Sequence, residues 1–146
     1  MNNKIKELYE IGKNAYIQSE YDKCISCFEK LIEIIGKDGH LEYVANAFDY
    51  IGHCYKSIGN DFFDKAEEEM WSANDSGLNS FTKAVENFKI AIKYIKKAKK
   101  LFALDIVQQK LTKDKAELYI ERCGLVIENC NYYIEKCNDK IEFIKQ

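Results

Sequence analysis

Three groups of side chains in this 146-residue chain have the types and spacing for chemistry. Cys24-x-x-Cys27 has the spacing of a redox dithiol or of half a zinc site. Asp49 and His53 stand four apart, so on a helix the carboxylate can orient the imidazole as in a general-base pair. Lys89, Lys93, Lys96, Lys97 and Lys100, within KIAIKYIKKAKK, line one side of a helix and could dock an acidic partner or an RNA backbone. Each group also has a plainer reading. Zinc needs two more ligands, and the candidates His53 and Cys54 are sequence neighbours pointing about 100° apart on a helix. No Ser or Cys nucleophile is placed beside Asp49 and His53 by the pattern, so a surface ion pair accounts for them. The lysine strip has no exposed aromatic interleaved for base stacking and reads as a solvated face. Only Arg122 among the 22 basic residues is an arginine, the group that best matches phosphate geometry, which argues against nucleic acid. Phosphate-binding glycine loops and His-x-x-x-His motifs are missing. The chain is therefore expected to be no enzyme, with no metal and no cofactor.

The elements that position these residues read as helices throughout, giving an all-α fold. There is no proline, and the 47% apolar content is ample for one core. Ile5, Leu8, Ile11, Gly12 and Ala15 share a helical face. A second helix starts at Ser19 or Glu20, carries Tyr21, Cys24, Phe28 and Leu31, and closes at Gly36 and Gly39. A third is expected over 40–58, with Val44, Phe48, Ile51, Gly52 and Tyr55 inward and Gly59 as a left-handed C-cap. A fourth is expected over 61–73, with Trp71 half-buried. NDSGLNS at 74–80 is a loop, after which Ser80 caps a long helix through Phe81, Ala84, Phe88, Ala91, Ile95 and Ala98. Thr112 or Asp114 caps the last helix, Asp114 and Glu117 being spaced as a capping box. The start MNNKIKELYE is too polar for a signal peptide, and no stretch approaches the roughly 18 apolar residues of a membrane helix. A cytoplasmic protein without a membrane partner is expected. Its six cysteines then stay reduced and serve as small apolar side chains.

Internal repetition refines this. Leu8-x-x-Ile11-Gly12-x-x-Ala15 followed by Tyr21-x-x-Cys24-x-x-x-Phe28-x-x-Leu31 returns 40 residues later. There it reads Phe48-x-x-Ile51-Gly52-x-x-Tyr55 followed by Phe63-x-x-Ala66-x-x-x-Met70-x-x-Ala73. The pattern resembles the tetratricopeptide repeat, and GKDGHLEYVANAFDYIGHCYKSIGN is similar to the longer repeats of kinesin-light-chain-type members. The likeness covers about residues 4–75, and Phe81-x-x-Ala84-x-x-x-Phe88-x-x-Ala91 echoes it. Two segments compete to complete the second repeat, with 61–75 favoured over 81–101. The resemblance implies a right-handed array of antiparallel helix hairpins in a single domain, with 79–111 a long helix or partial third repeat and 114–145 a capping or coiled-coil-like helix. It also implies that the first helices of successive repeats line a concave groove for a peptide or partner helix. Mapped by the motif, that groove offers Lys6, Tyr9, Lys13 and Tyr16, then Asn46, Asp49, His53 and Lys56, at positions free of packing duty. In the family's chaperone-tail binders a Lys/Asn arrangement holds a terminal carboxylate. Here Tyr9, Lys13 and Tyr50 occupy those places, so that role is not expected.

Ala116, Ile120, Cys123, Ile127, Cys130, Ile134, Cys137, Ile141 and Ile144 alternate spacings of four and three, as in a coiled-coil seam. Cys123, Cys130 and Cys137 cannot pair with one another, because seven residues of helix rise roughly 10 Å. The seam either packs an end-capping helix on its neighbour or is shared with a second copy of the chain, a homodimer. Glu67, Glu68 and Glu69 form a patch that could pair with the lysine strip. The function expected is that of an adaptor or scaffold binding a protein or peptide in the groove. The alternative is a self-assembling helical protein using the 116–144 seam.

Overall fold

A computed structural model describes residues 3–36, 39–72 and 75–146. The described residues form six helices and no strand: α1 (Asn3–Ile17), α2 (Tyr21–Ile35), α3 (Leu41–Met70), α4 (Leu78–Phe102), α5 (Asp105–Leu111) and α6 (Lys113–Lys145). Apart from the short α5, each helix packs chiefly on its neighbours in sequence, in the order α1, α2, α3, α4, α6. None of them is long and apolar enough to cross a membrane.

The α1–α2 hairpin follows from small residues facing large ones. Ile5, Leu8, Gly12 and Ala15 are buried on α1, and Cys24, Ile25, Phe28, Leu31 and Ile35 on α2. A Cβ at Gly12 would stand 2.8 Å from the Phe28 ring, so the glycine is what lets the two helices close. Gly36 ends α2 with φ 65°, its N–H donating to the Ile32 carbonyl at 2.9 Å.

The third helix does not stop where the sequence suggested. Gly59, expected as a left-handed cap, lies inside a continuous 30-residue α3, and the expected separate helix over 61–73 is its last part. Ala73 and Asn74 fall outside the described residues. The physical reason is a row of small residues at intervals of seven, Ala45, Gly52, Gly59 and Ala66, all buried. Seven residues are close to two full turns, so the row runs straight along the helix. On α4 a row of large residues has the same interval: Phe81, Phe88, Ile95 and Phe102, all fully buried. The two rows oppose one another antiparallel. A Cβ at Gly52 would be 2.5 Å from Ile95, and one at Gly59 would be 2.9 Å from Phe88. Ala45 shares a core cluster with Phe102, and Ala66 shares one with Phe81. Glycine inside a helix costs about 1 kcal/mol in propensity, and the close fit of Phe88 offsets it. The favoured segment 61–75 therefore does not turn back on 40–58. The antiparallel partner of α3 is α4, which contains the competing segment 81–101.

The turn between α3 and α4 is held from both sides. Gly77 adopts φ 79°, and a Cβ there would come within 2.4 Å of the Ala66 carbonyl oxygen, so only glycine fits. Its N–H donates to Asp75 Oδ1 at 2.9 Å. Ser80 does not cap α4, which begins two residues earlier; it is buried, and its hydroxyl donates to Glu69. At the start of α6 it is Thr112 that caps, its Oγ1 accepting from the Lys115 N–H at 3.3 Å.

Candidate functional site

Burial of one face of α1 against α2 leaves a second face of α1 beside α3, and four tyrosines fill that line. Tyr9 and Tyr16 on α1 are seven apart, as are Tyr43 and Tyr50 on α3. The rings interleave. Tyr50 lies edge-on to Tyr9 at 6.1 Å and to Tyr16 at 5.6 Å, and stacks on Phe28 at 4.8 Å. Tyr9 also meets Phe28 and Tyr43 edge-on, and Tyr16 meets His53 at 6.4 Å. Edge-to-face packing of this kind adds about 0.5–1.5 kcal/mol per pair beyond the buried area. Burial, then the neighbouring Tyr50 hydroxyl, pushes the Tyr9 phenol well above its ordinary range, and burial does the same more mildly at Tyr16 and Tyr50.

Tyr9 and Tyr16 are therefore not free of packing duty, as the repeat pattern had suggested. They are half-buried and packed against the core of α1, α2 and α3. Asn46 is also engaged, its side-chain amide donating to the Glu42 carbonyl at 3.0 Å. Lys6 and Lys13 are exposed on α1, and Lys56 is half-buried on α3. Asp49 and His53 do form the expected pair, with His53 Nε2 at 3.5 Å from Asp49 Oδ1.

Residues of α6 complete this region, and the sequence reading did not include them. Asp49 and His53 share a cavity of about 380 Å³ with Tyr119, Arg122, Leu125 and Val126. Tyr119 also lies close enough to Tyr9 to raise its pKa. The single arginine of the chain thus lines the same cavity as the Asp49–His53 pair. A signal was present in the sequence: Tyr119, Val126 and Tyr133 repeat at sevens beside the Cys/Ile seam. Cys123 lies beside the pair, its Sγ donating to Asp49 Oδ1 at 4.0 Å. Burial, and secondarily Asp49, pushes it up to about 12, so it stays a thiol and a poor nucleophile.

The other sequence-derived groups separate. Cys24 is buried and half-buried Cys27 does not join it; Cys24 instead meets the buried Cys54 of α3. The hydrogen bond to Cys24, together with burial, pushes the Cys54 thiol far up. Among the described residues no group of three or more His, Cys, Asp or Glu side chains is arranged to hold a metal ion. Lys89, Lys93, Lys96, Lys97 and Lys100 are all exposed, with Lys97 lying over the Phe48 and Tyr94 rings. Among the described residues no ion pair joins them to Glu67, Glu68 or Glu69. Trp71 is not half-buried but 85% exposed.

The Cys/Ile seam of α6 faces its own chain. Cys123, Cys130 and Cys137 are buried, and Ile120, Ile127, Ile134 and Ile141 are half-buried against the cores built on α4. A second copy could not occupy that face without displacing α4. No protein-family model matches the chain, and no curated protein or solved structure shows significant similarity to it.

Proposed function

We propose that the chain is a binding adaptor of tetratricopeptide-like construction that holds a peptide or partner helix along α1, α3 and α6. One observation carries the reading: α3 and α6 line one cavity with Asp49, His53, Tyr119 and Arg122, and Tyr16 of α1 meets His53 beside it, with Tyr9 and Tyr50 packed next to Tyr16 along the same line. The sequential packing of the helices and the close approaches at Gly12 and Gly52 support a hairpin array of that kind. Half-buried tyrosines offer stacking and a hydroxyl at small entropic cost, and an arginine in the same region offers a bidentate donor. Burial holds the Cys123 thiol beside Asp49 protonated, which argues against a thiol nucleophile at this place.

Selection of peptides from a displayed library on the full chain tests this. Peptides chosen on the parent protein should bind the His53→Ala, Arg122→Ala double variant at least about tenfold more weakly, equivalent to 1.4 kcal/mol or more. The Lys93→Ala, Lys96→Ala, Lys97→Ala variant should lose less than that, chiefly in on-rate. Equal capture by the groove variant with loss in the lysine variant would move the site to the strip.

A further inference from the structure

The long helix α6 repeats at sevens on two sides. Its buried side carries the cysteines and isoleucines that meet α4. On the opposite side Leu118, Leu125 and Tyr132 follow at intervals of seven, with Phe143 eleven further on. Both intervals are close to whole numbers of turns, so the four side chains form one row. They are 43%, 58%, 54% and 66% exposed. The uncovered face of a helix is normally polar, and a row of four large apolar side chains marks a contact.

The flanks of the row show what makes that contact. Glu121, Glu128, Glu135 and Glu142 run along one side at sevens, and Lys115, Arg122, Asn129 and Lys136 along the other. All eight are exposed, and among the described residues none of their charges is in a salt bridge within the chain. Lys136 rests over the rings of Phe63 and Tyr132 and so borders the row directly. Asp139, the next place in the seven-residue series, has Lys136 and Lys140 beside it. A two-fold axis parallel to the helix carries the acidic flank of one copy onto the basic flank of the other along the whole length. An antiparallel two-fold would set acid against acid. The surface is thus complementary to itself, in one orientation.

We propose that α6 pairs in parallel with the α6 of a second copy of this chain through Leu118, Leu125, Tyr132 and Phe143. This face is distinct from the Cys/Ile seam, and the pairing does not depend on the peptide-binding reading. Arg122 and Leu125 border both regions, so a second copy would form one wall of the groove.

Sedimentation equilibrium of the full chain over rising concentration should give a monomer–dimer equilibrium that weakens with salt. The Leu125→Glu, Tyr132→Glu variant should weaken it by about a hundredfold or more while keeping the helical circular dichroism of the parent. Glu121→Lys, Glu128→Lys, Glu135→Lys makes both flanks basic and should abolish self-association. Mixing it with Lys115→Glu, Arg122→Glu, Lys136→Glu should restore a dimer. Leu118→Cys fixes the orientation, because like positions meet only in a parallel pair, where diamide would oxidise the two thiols to an intermolecular disulfide. A parent protein that stays monomeric, a dimer indifferent to the Leu125 and Tyr132 changes, or a dimer in which Leu118→Cys does not cross-link would each overturn the proposal. If the double glutamate variant does not fold, the charge mixing and the cross-link still decide it.

Discussion

Replacement of Gly52 by alanine tests the argument that a row of small residues on α3 aligns it with α4. The added Cβ would stand 2.5 and 2.6 Å from Ile95 Cδ1 and Cγ1, and 3.3 Å from the Ala91 carbonyl oxygen. Ile95 is fully buried, and the carbonyl belongs to the helix backbone, so neither yields freely. Overpacking of this kind costs about 1–3 kcal/mol. Against it stands the helix propensity of alanine over glycine, about 1 kcal/mol. The net expectation is a loss of about 0–2 kcal/mol, or up to roughly 8 °C in melting temperature for a chain of this size. Gly124 is the internal control. It also lies within a helix, but its added Cβ would meet only the flexible tip of Lys99 at 3.8 Å, so Gly124→Ala should gain about 0.5–1 kcal/mol. Thermal and urea unfolding followed by circular dichroism measures both. Equal stabilisation by the two substitutions would refute the close-approach reasoning, because propensity alone predicts the same sign for each.

Phe88→Ala should cost about 3–5 kcal/mol in urea unfolding, since the ring is fully buried, fills the gap over Gly59 and stacks on Tyr133 at 5.6 Å. The buried thiols predict an alkaline limit. Burial raises Cys130 and Cys137 to about 11 and Cys123 to about 12 from a reference of 9.0, so the folded state favours the protonated forms. Their stabilising contribution is complete below about pH 9 and is lost as pH rises through about 11–12, where the melting temperature should fall; replacing the three by alanine should flatten that fall. Trp71→Ala should change stability by less than about 0.5 kcal/mol, and the emission of this sole tryptophan should be that of a solvated indole. A blue-shifted emission quenched on dilution would instead mean that Trp71 is covered in solution.

Helix type was legible in the sequence because no proline interrupts long apolar periodicities, and the inward residues of α1, α2, α4 and α6 followed from spacing alone. What failed was the reading of Gly59. A glycine near polar residues has the signature of a helix end, and IGND supplies it. The competing signal was longer in range: Ala45, Gly52, Gly59 and Ala66 keep one interval through the supposed break. Only the matching large residues of α4 explain that interval, and local rules do not see them. The cavity beside Asp49 and His53 was legible in part for the same reason. Asp49 and His53 are four apart on one helix and their pairing needs nothing else, whereas Arg122 and Tyr119 reach them from 70 residues away. Tyr9 was read as outward because its own helix presents it so, and its burial comes from Tyr43 and Tyr50 on another helix.

The unbroken α3 also explains where open surface remains. At 1.5 Å per residue its 30 residues span about 45 Å, whereas α1 and α2, with 15 residues each, span about 22 Å. The α1–α2 hairpin therefore covers only the first half of α3, through the cluster of Phe28, Leu31, Ile51 and Cys54. The second half, from Gly59 onward, buries Phe63 and Ala66 with the start of α4 and with Cys130 and Cys137 of α6. Since α6 runs antiparallel to α4, its first turns come back beside the half of α3 that carries Asp49 and His53. There α6 approaches α1 beside α3, without packing on it, and Tyr119 comes near Tyr9. A break at Gly59 would have let the remaining residues fold back over α3, and α6 could not then have brought Tyr119 and Arg122 to this place. The same return leaves Leu118, Leu125 and Tyr132 on the outer side of α6, exposed among the described residues.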